Sequence, residues 1–235
     1  MRLRVLALSA VTLLALGVGG SAHGKAGDCP QTEGNDVCIG TDGNDVYSML
    51  GGDDVVHARG GDDQVSGGAG NDHLSGQDGN DMLVGDDGND DIVGEGGNDI
   101  LNGGAGDDHI TGGLGDDHID GGPGADHLSG GDGNDTVSGS DGNDAIIGAG
   151  GNDILDGGAG DDHITGGAGR DRIVGGAGND HIFTGAGPDR VSGGPGNDTI
   201  SARNAVTDTV NCGPGVDRVD ADPGDHLKGC EHVFL

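Results

Sequence analysis

The chain has 235 residues, 57 of them Gly, with no Trp, one Tyr and two Phe. That excludes an ordinary core, which large and aromatic side chains usually dominate. The formal net charge of −32, from 42 acidic and 10 basic residues, excludes nucleic acid as a partner, makes an anionic membrane surface unfavourable, and invites a bound cation or a basic partner.

In chain order, residues 1–22 read as an export signal, with its boundary lying as late as residue 26. Arg2 and Arg4 supply a charged start, residues 5–18 an apolar run, and Gly20-Ser21-Ala22 or Ala22-His23-Gly24 a small-residue cleavage site. The rival reading is a membrane anchor, but the run is short of the roughly 20 apolar residues a span needs. No second hydrophobic segment occurs. A secreted, extracellular protein without a membrane span is therefore expected, with residues 23–30 as a short N-terminal segment. Four cysteines suit that compartment. Cys29 and Cys38 lie before and within the start of the repeats described next, and Cys212 and Cys230 lie beyond their end. Three pairings are open, of which the local one would staple each end. No C-x-x-C pair favours a thiol-bound zinc.

Residues 31–201 are one nine-residue unit written nineteen times in phase. The template is G-G-x-G-[N/D]-D-x-U-x, with U apolar. The fourth residue is Gly in all nineteen units, the first is Gly in fifteen, and the fifth is Asn in eleven and Asp in five. Such residues tolerate left-handed backbone conformations. The last three alternate out-in-out, as in His73-Leu74-Ser75, which is half-buried strand patterning. Each unit thus reads as a six-residue turn followed by a three-residue strand. One unit buries a single apolar side chain, so it must stack on its neighbours. Two units make a coil of eighteen residues, and successive coils pair as parallel strands. The expected fold is an all-β solenoid whose inner column holds Leu74, Leu83, Ile92, Leu101, Ile110, Ile119 and their equivalents. Its repeat region should be roughly 45 Å long at ~4.8 Å per rung. A carboxylate fixed every nine residues beside glycine-shaped turns is chemistry for a hard cation.

The units resemble the RTX, or haemolysin-type, calcium-binding nonapeptide. Gly103-Gly104-Ala105-Gly106-Asp107-Asp108-His109-Ile110-Thr111 and Gly157-Gly158-Ala159-Gly160-Asp161-Asp162-His163-Ile164-Thr165 match at every defined position. The resemblance implies a right-handed parallel β-roll with Ca²⁺ held between successive turns along each edge. The sixth-position Asp would give a carboxylate and the turn main-chain carbonyls. That role falls on Asp45, Asp54, Asp63, Asp72, Asp81, Asp90, Asp99, Asp108, Asp117, Asp126, Asp135, Asp144, Asp153, Asp162, Asp171, Asp180, Asp189 and Asp198, and Asp36 matches as well. Turns led by Met49-Leu50 and Ala58-Arg59 depart from the template, so weaker or absent sites are expected at the start. Arg170 and Pro188 depart at fifth positions. Ten turns on one edge and nine on the other leave nine plus eight adjacent pairs, a ceiling of seventeen sites. Oxygen-only ligands on flexible turns suit Ca²⁺ over Mg²⁺ and over soft metals. The metal-free chain is expected to be expanded, with folding and binding as one equilibrium.

Outward seventh positions place His73, Asp91, His109, His127, Ala145, His163 and His181 on one sheet. Adjacent imidazoles there are either tolerated surface residues or a Zn²⁺ or Ni²⁺ chelating row. After Ser201 one residue breaks the phase. Asp208/Val210, Asp217/Val219, Asp225/Leu227 and Glu231/Val233 keep an acid-x-apolar beat, so residues 202–235 read as a C-terminal cap on an otherwise open solenoid end. No Ser/His/Asp grouping outside the repeats, no H-E-x-x-H and no phosphate loop occurs, so the chain is not expected to be an enzyme. A structural, surface or calcium-buffering protein is the leading expectation. The alternatives are an adhesin-like, glycan- or ice-binding solenoid, or an accessory module of a polysaccharide-modifying enzyme.

Overall fold

A computed structural model describes Cys29 and residues 31–235. The expected export segment lies outside the described residues. Twenty-three strands follow one another from β1 (Val37–Ile39), β2 (Val46–Ser48) and β3 (Val55–Gly60) to β23 (His232–Phe234), with no helix among the described residues. Odd-numbered strands form a parallel 12-stranded sheet and even-numbered strands a parallel 11-stranded sheet. Each strand pairs with the one two places on, Cys38 opposite Val56 and Val56 opposite Leu74, a step of eighteen residues. The solenoid and its coil length are therefore those the repeat dictates.

Between the sheets lies a single file of apolar side chains from the eighth positions. Leu74, Leu83, Ile92, Ile110, Ile119, Ile164 and Ile173 are wholly buried. Each stacks on its equivalent one coil away, which is how a chain almost without aromatics still encloses a continuous core. Met49, Ala58 and Thr184 fill first positions, which are inward too, where most units carry Gly.

Strand length differs from the expectation. From β3 to β17 (His181–Ala186) every strand has six residues, not three. Pairing runs on through the leading residues of the next unit, for example Gly131 opposite Gly113 and Asp132 opposite Leu114, leaving three-residue corners. Glycine at a first position is inward and small, so the strand crosses it without clashing with the carboxylate inside the corner. A left-handed residue at the second position then kinks the strand. Arg59, Gln77, Asp86, Glu95, Ser140 and Ala149 hold φ between 74° and 84° at this place, a conformation costing L-residues about 1–2 kcal/mol. Some recover part of it through cross-coil bonds. Ser75 Oγ donates to Glu95 Oε1 at 3.0 Å, and Ser140 Oγ to Asp120 Oδ1 at 2.8 Å.

The C-terminal region is built from further coils, not from a separate element. β20 (Thr209–Asn211) and β22 (His226–Lys228) extend one sheet, and β21 (Arg218–Asp220) and β23 extend the other. Both disulfides are local, Cys29–Cys38 at the first coil and Cys212–Cys230 across the last.

Candidate metal centres

Alternation does not stop at the strand ends. If the eighth residue points inward and the seventh outward, the sixth points inward again, which carries the Asp carboxylate inside the corner. All nineteen sixth-position Asp residues are buried, none more than 6% exposed. The two edges hold separate columns, one from Asp36 through Asp54 and Asp72 to Asp198, the other from Asp45 through Asp63 to Asp189.

Each carboxylate is tied to the coil before it. Asp36 N donates to Asp54 Oδ1 at 2.7 Å, Asp108 N to Asp126 Oδ1 at 2.8 Å and Asp162 N to Asp180 Oδ1 at 3.0 Å. The other oxygen has no such partner. Oδ2 is buried and unbonded in Asp54, in every sixth-position Asp from Asp63 to Asp198, and in Asp217. Of the predicted ligands only Asp45 differs, because its Oδ2 accepts bonds from Thr41 N (2.7 Å) and Thr41 Oγ1 (3.0 Å). A buried charge without a partner costs several kcal/mol, so a file of them requires a cation or protonation.

The surroundings are shaped to the same end. Where the unit begins with glycine, Oδ2 faces that inward residue, as Asp72 Oδ2 faces Gly67 and Asp198 Oδ2 faces Gly193. A methyl group at Gly103 would overlap Asp108 Oδ2 and the Gly121 carbonyl oxygen. From Gly70 to Gly196 fourth-position glycines face the carbonyl oxygen of the glycine one coil earlier, as Gly106 faces Gly88 O. From Gly52 to Gly178 those carbonyls take no part in the hydrogen bonding of the turns. No group of three or more His, Cys, Asp or Glu side chains converges among the described residues. A cation here would be held by one or two carboxylates together with main-chain oxygens, a donor set that suits Ca²⁺. We expect Gly103→Ala to lower the melting temperature in saturating calcium, with a loss of about 1–3 kcal/mol. An unchanged melt would show that the space beside Asp108 is not needed.

Burial also sets the proton affinity of the columns. Loss of hydration raises the carboxyl pKa to about 7 in Asp63, Asp90, Asp117, Asp126, Asp162 and Asp189. It raises Asp99, Asp153 and Asp198 to about 6. The backbone N–H from the coil before opposes the rise, and carboxylates on neighbouring coils add to it.

Outside the corner, fifth positions form a second ladder. Asp107 N donates to Asn89 Oδ1 at 3.0 Å and Asn152 N to Asn134 Oδ1 at 3.0 Å. The departures at Arg170 and Pro188 fit this ladder. Arg170 N donates to Asn152 Oδ1 at 2.9 Å, while its side chain offers no acceptor. Pro188, one coil on, has no N–H that needs one. Asp171 and Asp189 beside them keep the buried, unpaired geometry, as do Asp54 and Asp63 in the turns led by Met49 and Ala58.

Four acids beyond the ligands read from the sequence continue the columns, Asp208 and Asp217 buried, and Asp225 and Glu231 less so at the end. Asp189 N donates to Asp208 Oδ1 at 2.8 Å and Asp198 N to Asp217 Oδ1 at 2.9 Å. The residue inserted after Ser201 lengthens the step from eighteen to nineteen, and the acid-x-apolar beat was the signal that marked them. On the outer face, His109 and His127 lie with ring centroids 6.1 Å apart, and His163 and His181 5.2 Å apart. His73 Nδ1 instead lies 2.9 Å from Asp91 Oδ2, and Phe183 stacks on His181.

The model of the RTX calcium-binding nonapeptide repeat matches residues 32–47, 50–83, 84–119, 111–146, 120–155, 147–182 and 174–204. The chain belongs to the RTX calcium-binding nonapeptide repeat family. A search of curated proteins finds no match. In this RTX chain the repeats imply Ca²⁺, and the residues fit it, with an unpaired carboxylate oxygen at each interior corner and, at most of them, a glycine-sized space and spare carbonyls. When bound, Ca²⁺ would neutralise the carboxylates of each column. Asp54 to Asp198 and Asp217 would supply the side-chain ligands. No helix among the described residues is long and apolar enough to cross a membrane.

Proposed function

We propose that the chain is a secreted calcium-binding β-roll without catalysis of its own, which folds as Ca²⁺ enters the corners and serves as a structural, surface or calcium-buffering protein. The observation that carries this reading is the file of buried Oδ2 atoms without protein partners, which leaves room for many cations and explains none of its own burial. Secretion rests on the composition of residues 1–22 and on two local disulfides, which persist in oxidising compartments. The surface agrees with a soluble role, since outward seventh positions mix His, Thr, Ile, Asp and Arg and make no uniform row.

Calcium counting tests it. After exchange into buffer with a modest calcium excess, native mass spectrometry should find on the order of ten bound ions per chain, in keeping with interior corners that each recruit an ion. One or two ions, or none, would leave the buried carboxylates without the partner proposed.

A further inference from the structure

One corner already holds a donor. Asn204 Nδ2 lies 2.9 Å from Gly185 O, 3.1 Å from Gly187 O and 3.2 Å from Asp208 Oδ2. Gly185 and Gly187 are the second and fourth residues of the last regular turn on their edge, and Asp208 is the next carboxylate of that column. One coil earlier, Asp189 Oδ2 has no partner. The orientation of the amide is fixed independently. Asn204 Oδ1 accepts a bond from Val206 N at 2.8 Å, so it is the nitrogen that faces the three oxygens. Asp208 consequently has both oxygens bonded, Oδ1 by Asp189 N and Oδ2 by Asn204, with Thr184 Oγ1 3.5 Å away. The carboxylates of this edge from Asp63 to Asp189 lack that.

We propose that Asn204 is a built-in substitute for a cation: its amide closes the corner between the Asp189 and Asp208 turns without metal and ends the calcium ladder there, Asp225 beyond it having both oxygens bonded, by Asp208 N and Asp222 N. A primary amide brings two N–H donors into a cradle of carbonyl and carboxylate oxygens, satisfying them with no net charge. At the opposite end of the edge a side chain likewise serves one carboxylate oxygen, Asp45 Oδ2, while Asp45 Oδ1 stays buried without a partner. Thr41 Oγ1 lies 3.0 Å from Asp45 Oδ2 and 3.2 Å from Gly43 O. Thr41 and Asn204 both stand four residues before the Asp they serve, at second positions that the interior turns give to glycine or to residues pointing away. The Asn204 corner is thereby fixed before calcium arrives, and the interior ones wait for it.

This inference rests on the calcium reading of the interior corners, and one experiment separates the two. Crystals grown in calcium, examined by anomalous scattering, should show ions at interior corners and none among Gly185 O, Gly187 O and Asp208 Oδ2. In Asn204→Ala the vacated cradle should gain one ion, with the interior peaks unchanged. An ion at that corner in the unaltered protein overturns the inference and leaves the calcium reading intact. So does an Asn204→Ala chain with filled interior corners and no added ion. Empty corners everywhere would overturn both. Should the variant fray its last coil, the unaltered protein decides alone.

Discussion

Excess chelator should abolish most of the β-sheet circular dichroism of the folded protein, and calcium should restore it over about 0.1–1 mM, the range of extracellular modules. The size of the effect follows from the columns. A buried acceptor left unpaired costs about 1–3 kcal/mol, and more when charged. Repeated at Asp54, at every coil to Asp198 and at Asp217, that cost far exceeds the roughly 5–15 kcal/mol by which domains of ordinary size are stable. The file of single apolar side chains from Leu74 to Ile200 has no aromatic mass with which to offset it. Because each carboxylate is hydrogen-bonded to the neighbouring coil, loss of one corner weakens the next, so the transition should be steep. A full sheet spectrum in chelator would refute the coupling of binding to folding.

Acid should partly replace calcium. With chelator present, sheet content should rise as the pH is lowered from 7 towards 4. Asp63, Asp90, Asp117, Asp126, Asp162 and Asp189 have folded pKa values near 7, whereas an unfolded Asp titrates near 3.9. The folded state therefore binds more protons between those limits, and stability falls as pH rises through them. The contribution is fully present below about pH 4 and gone once the folded groups ionise above about 7. With calcium bound the sign reverses, since ligating carboxylates must be ionised and protons compete with the metal. Melting temperatures across pH 4–8, with and without calcium, should therefore slope in opposite directions. Parallel slopes would mean that the columns do not control stability.

The period carried most of the fold. A step of eighteen between Cys38, Val56 and Leu74 fixes both the sheets and their register, because an inward residue can stack only on its equivalent. Strand length was hidden, since Gly-Gly-x is turn chemistry in most proteins and pairs here only because the Asp side chain fills the space a first-position side chain would take. The Asp columns were legible as ligands. Their burial was not, because strand alternation does not by itself show that it continues into a glycine-rich turn. Asp208 and Asp217 were obscured by a single inserted residue. Asn204 lies where the template has lapsed, so no repeat position marked it.

The links from sixth-position carboxylates to amides one coil away all run one way, while those of the outer fifth-position ladder run the other. Asp36 N is held by the side chain of Asp54, Asp54 N by that of Asp72, and so on to Asp198 and Asp217. Inside the corner every layer is thus completed by the one that follows it along the polypeptide, while the outer ladder ties each layer to the one before. A chain delivered amino end first carries an unfinished rear layer until its last segment arrives, and cutting from the tail exposes a fresh unfinished layer each time. The inner columns have a direction of completion, and the disulfide-closed rear coil with Asn204 stands at the end where that direction begins.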